Sequence, residues 1–116
     1  MIALLLAGCA LKSGLQIEAG QSFVLGDNEH GAFRARVENV GPVPVELVSR
    51  TEGTQESVGG LAPGETVTVR FADGETAVFV NRADTQARLD VRVTGDQGLS
   101  MVYQPVAEGE STAPAR

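Results

Sequence analysis

The chain has 116 residues, enough for one domain with a modest core of its own. Nine Lys/Arg against fifteen Asp/Glu leave a formal charge of −6, which opposes phosphate backbones, and Arg34, Arg36, Arg88 and Arg92 are interleaved along the sequence with Glu38 and Asp90. One cysteine excludes an internal disulfide, so the fold is not a stapled scaffold.

The chain opens Met1-Ile2-Ala3-Leu4-Leu5-Leu6-Ala7-Gly8-Cys9, leucine- and alanine-rich, without strand alternation, closing on small residues and the cysteine. The run is far below the roughly 20 apolar residues needed to cross a bilayer. Leu6-Ala7-Gly8-Cys9 resembles the lipobox of bacterial envelope lipoproteins, although no Lys or Arg precedes the apolar stretch. The resemblance implies a signal-peptide remnant over residues 1–8, acylation of Cys9, and a lipidated linker over 9–14 containing the polar Lys12-Ser13-Gly14. It further implies a membrane partner reached through acyl chains of palmitate type, two or more of them, since one chain anchors only marginally. With Ala10 after the cysteine, it places the protein in the cell envelope, lipid-anchored to the outer membrane and facing the periplasm or the cell surface.

From residue 15 the pattern has period two between turn signals. Leu15-Gln16-Ile17-Glu18-Ala19 alternates, and Ser22-Phe23-Val24-Leu25 extends that segment past Gly20. Phe33 to Glu38 places apolar residues on one side and charged ones on the other. Val43 to Leu47 repeats this, with Pro44 marking an edge or a strand start because it cannot donate to a ladder. Residues 54–62 read as a short edge strand. Asp73-Gly74 reads as a type I′ hairpin turn that pairs Phe71 with Thr76, Val69 with Val78 and Val67 with Val80. That register sets Phe79 and Ala77 on the face away from Val67 and Val69, while Phe33 and Phe71 point inward. A second hairpin joins Leu89-Val91-Val93 to Leu99–Tyr103 through Gly95-Asp96-Gln97-Gly98. No segment with helical period follows residue 14, and the Glu/Gly/Ser/Thr/Ala/Pro-rich stretch 107–116 reads as a disordered tail.

Seven or eight short antiparallel strands over residues 15–106 predict an all-β sandwich. Arg36-Val37-Glu38-Asn39-Val40-Gly41-Pro42 and Leu61-Ala62-Pro63-Gly64-Glu65 resemble the turns of bacterial extracellular immunoglobulin-like domains, in which a strand ends in Asn-x-Gly and a later one opens with Leu-x-Pro-Gly-Glu. The resemblance implies an immunoglobulin-like β-sandwich, here without the core tryptophan or disulfide of antibody domains.

No catalytic constellation is expected. His30 is the only imidazole, no Gly-x-Ser-x-Gly elbow surrounds Ser22, and no glycine cluster ends in Gly-Lys-Ser/Thr. The polar run Gly26-Asp27-Asn28-Glu29-His30-Gly31 offers Asp27, Glu29 and His30 as metal-ligand candidates, yet consecutive ligands in one loop match neither a calcium loop nor a converging zinc site. Phe79 and Tyr103 are the aromatics available for contact outside the core. The reading is a non-catalytic, cofactor-free lipoprotein module for protein interaction or envelope structure, meeting another envelope protein and no nucleic acid. The alternative is a small hydrolase or metal-binding protein built on the 27–30 loop.

Overall fold

The computed structural model describes residues 11–106, which form nine strands. In chain order these are β1 (Leu11–Ile17), β2 (Gln21–Leu25), β3 (Phe33–Asn39), β4 (Val45–Thr51), β5 (Thr54–Leu61), β6 (Thr66–Phe71), β7 (Thr76–Val80), β8 (Ala87–Gly95) and β9 (Met101–Pro105). Two antiparallel sheets result, in the orders β1-β8-β3-β6 and β5-β4-β7-β2-β9. β1 starts inside the stretch expected to be a linker, with Lys12, Ser13 and Gly14 paired to Arg92, Val91 and Asp90.

The pairing is nested: β4 lies against β5, β3 against β6, β2 against β7 and β1 against β8. One long hairpin, closed at its tip by Glu52-Gly53, has in effect been rolled into two sheets. At that tip both central residues have positive φ, 39° at Glu52 and 84° at Gly53, as a type I′ turn requires. This is the two-sheet antiparallel architecture expected, but its connectivity is that of a jelly roll. The immunoglobulin-like sandwich is thereby corrected.

Asp73-Gly74 does not close a hairpin. Glu52 is the only non-glycine with positive φ among the described residues, so at Ala72–Glu75 only Gly74 (φ 77°) is left-handed, as in a type II turn. The Glu75 N–H still donates to the Ala72 carbonyl at 3.0 Å. A turn of that hand splays its flanking strands, and the chain crosses between sheets: β6 pairs with β3, whereas β7 pairs with β2 and β4. The second expected hairpin fails in the same way, because β8 and β9 belong to different sheets. So do β1 and β2, which the sequence joined into one segment.

The core fills the space between the sheets. Phe33, Ala35 and Val37 of β3 are buried while Arg34, Arg36 and Glu38 are exposed, and β8 alternates in the same sense. Facing them are Phe23, Leu25, Leu47, Ala77 and Phe79. Phe33 stacks on Phe71 with ring centres 4.9 Å apart, and Phe23 on Phe79 at 6.1 Å. β7 is buried along its whole length. Its other side holds Val78 and Val80 in a second cluster with Val24 and Val48, against which Val106 packs. Phe79, expected on the outside, is therefore 0% exposed.

Candidate functional site

The roll has two ends. One collects the loops 26–32, 52–53, 72–75 and 96–100, and it is where the polar run of the sequence lies. There Asp96 accepts the Gly31 N–H at 2.6 Å and the Gly98 N–H at 2.8 Å. The Gly31 bond first, and the Gly98 bond after it, hold the Asp96 carboxyl below its ordinary value, with the His30 charge adding to them and partial burial opposing. Asn28 donates to the Gly98 carbonyl at 2.9 Å and accepts the Ser100 N–H at 3.0 Å, while the Asp27 N–H donates to Ser100 Oγ at 3.0 Å. These bonds clasp the 26–31 loop to the 96–100 loop.

Of the metal-ligand candidates, His30 is held by the surrounding loops. Both ring nitrogens of His30 are directed at carbonyl oxygens, Nδ1 at Gly31 (2.6 Å) and Nε2 at Glu75 (2.9 Å), and its ring lies edge-on to Phe33. Neither nitrogen is aimed at a point where a cation could sit. Asp27 pairs with Arg50 at 3.8 Å, and Glu29 is exposed. Among the described residues no three His, Cys, Asp or Glu side chains converge to hold a metal ion.

Beside this clasp, at the mouth of the roll, a cleft of about 600 Å³ opens. Its apolar lining comes from Ala32, Phe33, Phe71, Ala72 and Gly95, and its polar rim from Arg34, Arg70, Thr94 and Glu75. Arg34 and Arg70 are directly opposite one another across the β3–β6 ladder, and both are exposed. Like charges in that position destabilise a sheet. The two ion pairs among the described residues belong to Arg50 and Arg82, so neither rim arginine has a carboxylate partner there. Glu75 is engaged elsewhere: its carboxylate accepts the Ala72 N–H at 2.7 Å and the Ser49 hydroxyl. The sequence held no signal for this cleft, because Arg34 and Arg70 meet only through a ladder between residues far apart in the chain.

Tyr103 is 48% exposed, with its ring tilted against Phe23 at 5.1 Å, whereas Phe79 is sealed in the core and offers no contact surface. Cys9 and the residues before it lie outside the described residues.

No protein-family profile matches the chain, and no curated protein matches it. Solved structures do. A sugar phosphate isomerase of the cupin superfamily from Silicibacter pomeroyi shares 17% identity at a TM-score of 0.52, over 80% of this chain and 66% of that one. A cupin 2 conserved barrel domain protein from Salinispora arenicola shares 20% identity at 0.50, over 75% of this chain and 64% of that one. The cupin 2 domain of an XRE-family transcriptional regulator from Enterobacter cloacae shares 16% at 0.50, over 75% of this chain and 82% of that one. This chain thus spans about two thirds of the length of the first two. The likeness agrees with the nested strand order and shows a jelly-roll fold. It overturns the expectation of a lipid-tethered, immunoglobulin-like interaction module, because the similar structures are cupin proteins.

Proposed function

We propose that this chain is a cupin-fold binding domain that holds a small anionic ligand with an apolar body in the cleft at the mouth of the roll, without turning it over. The carrying observation is the exposed Arg34–Arg70 pair above an apolar cleft. A ligand phosphate or carboxylate set between the two guanidiniums accepts charge-assisted hydrogen bonds, each contributing at most about 1.5–3 kcal/mol net and less where the arginines are exposed, and relieves the cross-strand repulsion. Its apolar part lies over Ala32, Ala72 and Gly95. Mouths of β-barrels are common ligand sites. Absence of turnover is supported by the use of His30, Asp96 and Glu75 within the loop clasp.

Calorimetric titration tests this with phenyl phosphate, inorganic phosphate and benzyl alcohol. Phenyl phosphate is expected to bind at least about tenfold more tightly than either half-ligand, and the Arg34→Ala/Arg70→Ala double variant to lose that advantage. Equal weak heats for all three compounds, or phenyl phosphate binding untouched in the variant, would contradict it.

A second reading is metal-assisted chemistry at the 27–30 loop. It is favoured by the likeness to a cupin-superfamily sugar phosphate isomerase and by the position of Asp27, Glu29 and His30 at the same end of the roll as the cleft. The loop would first have to release His30 from the Gly31 and Glu75 carbonyls. Titration with calcium and with zinc distinguishes the two readings: saturable heat lost in His30→Ala supports the metal, and no heat excludes it.

A further inference from the structure

Six of the eight Lys/Arg side chains among the described residues stand on the outward face of the four-stranded sheet: Lys12, Arg34, Arg36, Arg70, Arg88 and Arg92. The only acids at the outward positions of those strands are Glu38 and Asp90. The two described cations elsewhere, Arg50 and Arg82, are the two that form ion pairs. Along the sequence these charges are interleaved with acids, but cross-strand pairing gathers five of the six into two adjacent rows and leaves Arg88 beyond the acids. Lys12 sits opposite Arg92, Arg92 opposite Arg36, and Arg36 opposite Thr68, so one row crosses all four strands. The next row is Thr94, Arg34 and Arg70. Glu38 and Asp90, themselves opposite one another, bound the strip on its other side.

We infer that this strip docks a linear acidic polysaccharide carrying one carboxylate per sugar, laid across the strands. Strands are about 4.8 Å apart and the two rows about 7 Å apart, so the strip is roughly 14 Å long and a single polymer chain wide. Guanidinium groups match carboxylates in bidentate geometry. Thr68 and Thr94, at the ends of the two rows, supply hydroxyls for sugar oxygens. Nucleic acid fits less well. The outward positions carry no aromatic ring on which bases of a single strand could stack. A duplex, with backbones flanking grooves about 6 and 12 Å wide, would bring phosphates over Glu38 and Asp90. The density of one charge per sugar also meets less repulsion from a chain of net charge −6.

The test is affinity electrophoresis of the full chain through gels containing polygalacturonate, with dextran as the neutral polymer and duplex DNA as the competing polyanion. Retardation by polygalacturonate alone is expected, weakening at least about tenfold between low and high salt. The triple variant Lys12→Ser/Arg36→Ser/Arg92→Ser should lose at least about tenfold in affinity, while Arg50→Ser/Arg82→Ser, which also removes cations, stays within about twofold. Removing a row of like charges leaves the core untouched, and a thermal melt of the triple variant confirms folding. No retardation of the native chain, equal loss in both variants, or tighter binding to duplex DNA would overturn the inference. None of the three substituted residues lines the cleft, so phenyl phosphate binding in the triple variant reports on the cleft separately.

Discussion

Asn39 and Asn81 make the same set of bonds at the end of the roll opposite the cleft. Each is 0% exposed. Each accepts the N–H of the residue two further on, Gly41 at 3.0 Å and Ala83 at 2.9 Å. Each donates to the carbonyl four further on, Val43 at 2.8 Å and Thr85 at 2.9 Å, and to a strand carbonyl from elsewhere, Leu61 at 3.0 Å and Ile17 at 2.9 Å. Two loops on different strands are thus closed by one device, and among the described residues no buried side-chain polar atom lacks a partner. Replacing either with Ala strands several backbone groups away from water. Asn39→Ala and Asn81→Ala should each cost about 2–4 kcal/mol in urea unfolding, and a loss below 1 kcal/mol at either position would contradict this role.

Gly41 is required by packing rather than by φ. A Cβ there would lie 2.7 Å from the Arg88 backbone nitrogen, and that segment is tied down by the Val40 N–H donating to the Arg88 carbonyl at 3.0 Å. Gly41→Ala should destabilise by about 1–3 kcal/mol. Gly60→Ala, where the added atom meets nothing within 4 Å, should stay within about 0.5 kcal/mol. Parallel thermal melts of the two variants check the contrast.

Phe79→Ala should cost about 3–5 kcal/mol, the range for emptying a well-packed aromatic site, since Phe79 stacks on Phe23 between the sheets. Tyr103→Ala removes a ring that is 48% exposed and should cost about 1 kcal/mol or less. Denaturant curves giving equal losses would show that the side of β7 facing the core has been misassigned.

Asp96 ties acid stability to the loop clasp. Its carboxyl is depressed in the folded state, so its contribution is fully present above the unfolded value near 3.9 and is lost as pH falls through the lower folded value. Asp96→Asn presents an N–H₂ to one of the two N–H donors. The variant should be less stable at neutral pH, and its stability should change less than that of the native chain below about pH 4. Urea midpoints across the acid range provide the measurement, and an acid slope unchanged in the variant would refute the assignment.

The strands were legible where one face is buried and the other wet. β3 reads Phe33, Ala35, Val37 inside and Arg34, Arg36, Glu38 outside, and β8 reads likewise. Pairing was not legible. Alternation fixes which side of a strand faces inward but carries no information on its neighbour, and every chain-adjacent pair except β4–β5 falls in opposite sheets. Asp73-Gly74 fits a type I′ turn equally well as a sequence, and only the absence of positive φ at Asp73 shows it to be a crossing between sheets. Phe79 was misplaced because its side was inferred through that turn. β7 has no alternation of its own to correct the error, being buried on both sides. The cleft and the cationic strip are illegible in the sequence for the same reason, since both arise from pairings between distant residues.

The cleft's arginine pair and the second row of the strip depend on the β3–β6 register that sets Arg34 opposite Arg70. A double-mutant cycle of Arg34→Glu and Arg70→Glu, read as unfolding free energy at low salt, tests it most directly. Each single reversal should be at least as stable as the native chain, because it replaces a like-charge pair with an ion pair. The double reversal should fall short of additivity by about 1 kcal/mol. Additive effects within error would place the two residues on unpaired strands, as a local Asp73-Gly74 hairpin would, and would contradict the nested roll on which the cleft and the strip are built.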